Sequence, residues 1–265
     1  VMNYIENGVV PEDVTISEQI MAAMHSLPEY GVSLSFLRLF MKLHITDTEN
    51  ASYTTNEVCQ NIVKPKCTGI QGDPSFATLV TDGILDDFSK DEKYIGSATH
   101  FTSHAWSYQF SDMVDALECD VGEFDENGNV NYFWLDIFVV PQTRRVLPPQ
   151  AWWSTAFFRA IAVEKCFVLV CFNWYAPRCI TRCWCLWEIY AALRMGKSLS
   201  DNTLLIALPG EQQLAYRSRL LEDVHEVTKS ILKVDAMNAD AWNVDDKNMI
   251  FTAIKQHTFE GVEGF

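Results

Sequence analysis

Cys166-Phe-Val-Leu-Val-Cys-Phe172 is an apolar run without a single polar residue. A strand with one wet face alternates polar and apolar residues. A run this short and this uniformly apolar fits a strand covered on both faces, as in a parallel sheet. Trp184-Cys-Leu-Trp-Glu-Ile-Tyr-Ala-Ala-Leu-Arg-Met195 follows, a helical stretch ended by Gly196. Ahead of it, Trp152 to Val163 reads as another helix. Val130 to Val140 holds the apolar run Tyr132 to Leu135 and then Asp136, the pattern of a second buried strand with an acid near its end. Asp125 to Asn129 is a turn. Ser97 to Ser103 reads as the first strand and Trp106 to Leu117 as its helix. Leu204 to Leu208 is a fourth strand, Gln212 to Val227 a helix, Ser230 to Val234 a candidate fifth strand, and Asp245 to His257 a closing helix. Strands alternating with helices give the expected class: α/β, a parallel five-stranded sheet with helices on both faces.

The region before this pattern, residues 1–95, reads as a helical N-terminal extension packed on residues 96–265. Ile16 to Leu27 and Ser33 to Leu43 have helical spacing. Thr54-Thr55-Asn56-Glu57 is a capping signal before Val58, Ile62 and Val63, with Pro65 expected to stop that helix. Asp73-Pro74 opens a further helix through Ile84, and the charged stretch Asp86 to Lys93 reads as a solvated linker.

Lys plus Arg number 20 against 35 Asp plus Glu, a net charge of −15. So acidic a surface repels phosphate backbones and anionic headgroups, so duplex nucleic acid and membrane are not expected partners. No apolar run approaches a membrane span and no signal-peptide pattern opens the sequence. The chain opens on Val1 rather than Met, which raises the expectation of a fragment of a longer protein. The eight cysteines include several inside apolar runs, the pattern of free buried thiols in a reducing, cytoplasmic setting. Cys179, Cys183 and Cys185 cluster without the C-x-x-C spacing of structural zinc, so no metal is expected. The sequence has no G-x-G-x-x-G, no P-loop and no G-x-S-x-G elbow. A nucleotide bound here must be held by another device.

Sites in open α/β sheets lie at the carboxyl ends of the strands. Four places meet that rule: Ser103-His104-Ala105-Trp106, Asp136 with its following loop, Asn173-Trp174-Tyr175, and the start of the Trp184 helix. Glu188 is the most informative residue. Trp184 lies one turn before it and Ala191 and Ala192 one turn after, so its carboxylate shares a face with apolar residues. An ordinary solvated helix glutamate is the plain alternative, but a lone acid in that company points to a pocket acid. Cleaving a glycosidic bond needs stabilisation of an oxocarbenium-like centre, and a neutral leaving group needs a second acid. In NAD the nicotinamide is already cationic and leaves neutral, so one glutamate could suffice. Nearby tryptophan rings suit a cationic aromatic base. For His104, a polar contact at the sheet mouth and a satisfied turn histidine remain equal readings.

The chain from Thr99 onward resembles a Toll/interleukin-1 receptor (TIR) domain. Thr99-His-Phe-Thr-Ser-His-Ala105 is similar to the family's opening strand, and Tyr132-Phe-Trp-Leu-Asp-Ile137 to its second strand, with the aspartate before the BB loop. Ala160-Ile161 with Phe167-Val-Leu-Val170 resembles the next helix and strand, and Trp184-Cys-Leu-Trp-Glu188 matches the Trp-Cys-x-x-Glu motif of the third helix. The resemblance covers about the last two-thirds of the chain and implies a flavodoxin-like arrangement. It implies membership of the NAD-cleaving branch, in which the glutamate of that motif is catalytic, so Glu188 takes that role. Ser103, His104, Trp106, Asp136 and Trp184 would line the substrate cleft. Where family members often carry arginine, this chain has His104, Ala105 and Trp106, so contacts to the NAD phosphates are expected from Arg144 or Arg145.

Two functions follow as expectations. One is an NAD-consuming hydrolase that releases nicotinamide and ADP-ribose or a cyclic product, with NAD as substrate and no cofactor. The other is a non-catalytic signalling module acting by self-association. The resemblance implies a homo-oligomer built through TIR–TIR contacts in either case. Transfer of the ADP-ribosyl group to another base is a further variant of the first.

Overall fold

The structure is a computed structural model and describes residues 29–46, 48–89, 93–143, 157, 160–222, 239–241 and 244–257. The expected helix at 16–27, the candidate strand at 230–234, most of the expected helix at 152–163, and Arg144 and Arg145 lie outside them.

Six strands form one sheet: β1 (Tyr30–Ser33), β2 (Ile95–Ser97), β3 (His100–Ser103), β4 (Tyr132–Trp134), β5 (Cys166–Val170) and β6 (Leu204–Ala207), in the order β2-β1-β4-β3-β5-β6. β4, β3, β5 and β6 are parallel neighbours, as expected, and β1 runs antiparallel to both β2 and β4. Within the parallel part the chain steps one way from β3 to β4 and the other way to β5 and β6. That is a doubly wound, flavodoxin-like order, with its switch point between β3 and β5.

The expectation of an all-helical region before Gly96 is corrected at Tyr30–Ser33, which forms β1 inside the sheet. Gly31 pairs with Gly96, and the Tyr132 ring lies close against Gly96. A Cβ on Gly96 would come within 2.4 Å of that ring, and one on Gly31 within 2.7 Å of the Phe133 backbone. The sheet therefore crosses the 95/96 boundary, and the expected first strand at 97–103 divides into β2 and β3.

The helices are α1 (Leu34–His44), α2 at 55–67, α3 (Phe76–Thr81), α4 (Phe110–Asp120), α5 (Asp136–Val139), α6 (Cys183–Arg194), α7 (Gly210–Glu222) and α8 (Val244–His257). Ser33 caps α1 by accepting from Phe36 N, and Thr54 with Glu57 completes a capping box on α2. Pro65 does not stop α2 as expected. A π-helical stretch, Cys59–Val63, precedes it, and Pro65 sits in the first turn of the α-helical piece Lys64–Cys67. The wider π turn spares the proline the clash and the lost hydrogen bond it would bring to a regular helix interior.

Strand alternation sorts the core into two layers. Phe101, Trp134, Phe167 and Leu169 face α6, where Trp187, Tyr190 and Ala191 meet them. Phe133, Val168 and Val170 face the other way, toward a phenylalanine cluster from α1, α3, α4 and α5. There Phe138 packs edge-on against Phe36 and Phe40, with ring centroids 5.0 Å apart in both pairs. Aromatic pairs of this kind contribute roughly 0.5–1.5 kcal/mol each beyond area burial. So the helices before residue 95 supply one cover of the sheet.

Candidate active site

The site is built at the carboxyl ends of β3 and β4, beside the switch point. Ser103 ends β3 on the same side as Phe101, the side facing α6. Its Oγ donates to Glu188 Oε2 at 2.5 Å. Glu188 is only 9% exposed, and burial pushes its carboxyl pKa up to about 8. The Ser103 hydroxyl opposes that rise, and the charge of nearby Asp136 adds to it. The burial expected for Glu188 from its apolar neighbours is therefore observed.

Asp136 follows β4 after Leu135 and opens α5 rather than ending a strand. The expected strand through 140 is cut short because Asp136 O accepts from Val140 N and Asp136 Oδ1 from Ile137 N. Trp106 Nε1 donates to Asp136 Oδ2 at 2.9 Å. Burial raises Asp136 to about 6, with the indole and the Ile137 N–H pulling the other way. Burial thus biases both acids toward the protonated form, Glu188 more strongly than Asp136. A cation placed between them would drive the Glu188 proton off.

Trp184 lies one turn before Glu188 but is turned to other partners. Its Nε1 donates to Asp246 Oδ2 of α8 at 3.1 Å, and its ring meets Phe157 edge-on at 5.5 Å. That anchors α6 to α8. The start of α6 has no side-chain cap; Cys183 N instead donates to Asp240 O. His104 is buried, and burial lowers its pKa to about 4, so the imidazole is neutral. Among the described residues its Nε2 meets no hydrogen-bond partner. The structure thus joins Ser103 to Glu188 and Trp106 to Asp136, and the two acids feel each other. It brings neither Trp184 nor His104 into a hydrogen bond with either acid.

Three residues of this neighbourhood were not singled out from the sequence. Gln142 Nε2 donates to Asp136 O and Val140 O, fixing the turn behind the acid. Cys59 of α2 points its S–H at Gln142 Oε1. Asp246 holds Trp184. These contacts join segments distant in sequence or sit in an expected loop, where no periodicity marks them. Asn56 N donates to Trp106 O and Thr55 N to Tyr108 O, so the start of α2 also grips the loop carrying Trp106.

Among the described residues, no group of three or more His, Cys, Asp or Glu is arranged to hold a metal ion, and no helix is long and apolar enough to cross a membrane. No family model, curated protein or solved structure matches this chain.

Proposed function

We propose that this chain is a TIR-domain enzyme that consumes NAD, with Glu188 as its catalytic carboxylate. The observation that carries the reading is the pairing of a buried Glu188, held by Ser103, with Asp136 at the carboxyl ends of neighbouring strands. That is the part of an open α/β sheet where ligands bind. Two neighbouring acids suit a cationic leaving group. Nicotinamide entering as a pyridinium favours ionised Glu188, and the carboxylate then stabilises the oxocarbenium-like ribose as the bond to nitrogen breaks. Water adds at the anomeric carbon and gives up a proton. Nicotinamide leaves neutral, and ADP-ribose remains. If the substrate's own adenine attacks in place of water, the product is cyclic. Trp106 holds Asp136 in place, and the phosphates fall to Arg144 or Arg145. The setting is cytoplasmic, and a neighbouring copy of the chain completes the cleft through TIR–TIR contacts.

The test is incubation of the purified chain with NAD at high protein concentration, with nicotinamide and the ribosyl product identified by chromatography. Free nicotinamide with ADP-ribose or its cyclic form is the expected result. No nicotinamide at any concentration would remove the enzymatic reading and leave the self-association module.

A further inference from the structure

At the carboxyl end of β5, Cys171 Sγ and Cys179 Sγ lie 3.3 Å apart. Cys171 follows the last residue of the strand, and Cys179 sits in a single 3-10 turn, Arg178–Thr181, that leads into α6. The backbone of each cysteine is fixed. Cys171 N donates to Ala207 O of β6, and Cys179 N donates to Tyr108 Oη at 3.0 Å. The loop between them is tied down as well, because Gln212 Oε1 accepts from Asn173 N and Trp174 N. Cys59, Cys166, Cys183 and Cys185 point their S–H groups at oxygen atoms instead. Among the described residues, Cys171 and Cys179 are the thiols whose sulfurs lie within hydrogen-bond distance of each other, with Cys185 near enough to act on both electrostatically.

We propose that Cys171 and Cys179 form an oxidation site, a dithiol that a peroxide converts to an intramolecular disulfide across the β5–α6 connection. A disulfide needs its sulfurs about 2.05 Å apart, so the pair has roughly 1.3 Å to close, within reach of side-chain rotation. Cys179 is the attacking thiol. The Cys171 S–H and then the Tyr108 hydroxyl favour its thiolate, and burial works against it. The Cys179 thiolate takes an oxygen atom from hydrogen peroxide, giving a sulfenic acid and hydroxide. The Cys171 thiol then attacks that sulfur, forming the S–S bond and expelling water. In sum, two thiols are oxidised by two electrons and one peroxide is reduced to two waters. Cys179 is fully buried, but Cys171 beside it keeps 7% exposure and the adjoining Tyr175, Ala176 and Arg178 are exposed, so a small peroxide reaches the pair from the Cys171 side.

Cys119 is the exposed cysteine and would react first, so the experiment uses the Cys119→Ser chain, which has seven thiols. The folded protein is treated with hydrogen peroxide, unfolded, alkylated and mapped by mass spectrometry. The expected result is five alkylated thiols and a peptide linking Cys171 to Cys179, with all seven restored by dithiothreitol. In the further variant Cys171→Ser, a dimedone adduct on Cys179 is expected, because the sulfenic acid loses its partner. Seven alkylated thiols after peroxide, a link between any other cysteines, or links between chains would overturn the proposal. The readout is independent of NAD cleavage, so it stands or falls apart from the enzymatic reading.

Discussion

The proton on Glu188 has a hydrogen-bond donor at Ser103 and a negative neighbour at Asp136, and the two act in opposite directions. Burial is the largest influence and, together with Asp136, outweighs Ser103, taking the pKa to about 8 against an ordinary value of 4.5. The folded chain therefore holds this proton more tightly than the unfolded chain. Stability attached to Glu188 is fully present below the ordinary value and is lost as pH rises through about 8. Catalysis needs the ionised form, so kcat/KM for NAD should climb with pH through the same range. Ser103→Ala removes the donor that favours ionisation, so its pH–rate limb should move to higher pH while the Asp136 side is unaffected. Superimposable limbs for parent and variant would show that Ser103 does not tune the acid. That Glu188 would be buried was legible from its apolar neighbours at helical spacing. Ser103 was placed at the strand end by the same reading, but that it donates to Glu188 was not legible, because the two lie 85 residues apart.

β5 and α6 were legible because each has one unambiguous pattern: an unbroken apolar run and a helical repeat ended by Gly196, which sits in the left-handed region at φ 78°. β1 was not. Tyr30-Gly31-Val32-Ser33 is short, contains glycine and runs directly into a helix cap. Its strand character comes from partners on β2 and β4 far along the chain. The Gly31–Gly96 pair explains why glycine stands there, and it gives a graded expectation. On Gly31, a methyl meets the fixed Phe133 backbone; on Gly96, it meets the outer atoms of the Tyr132 ring, which can swing aside. Gly31→Ala should therefore cost about 1–3 kcal/mol of stability, the range for overpacking, and more than Gly96→Ala. Urea midpoints for the two variants check the order. Equal and negligible losses would mean that the β1–β2 pairing is not part of the stable sheet.

Taken whole, the molecule puts its N-terminal third to structural use. β1 lies between β2 and β4, and Phe36, Phe40 and Phe76 surround the Phe138 ring of α5, the helix that begins with Asp136. A chain restricted to residues 96–265 loses these partners and exposes an apolar sheet face. It should show no cooperative thermal transition by circular dichroism, whereas a transition at the parent midpoint would make the N-terminal region a dispensable appendage. Sequence patterning showed the alternation of the parallel part but not this dependence, since long-range covering of a face leaves no local mark. The most direct measurement is nicotinamide release from NAD by the parent and by Glu188→Gln, over a wide range of protein concentration, with thermal midpoints for both. The account predicts release by the parent that rises per molecule with concentration. It predicts a loss on the order of a hundredfold or more in the variant, and a variant midpoint close to the parent's, because burial already favours the uncharged form of Glu188 and glutamine keeps its size. Release by Glu188→Gln at the parent rate, or none from either protein at any concentration, would contradict it.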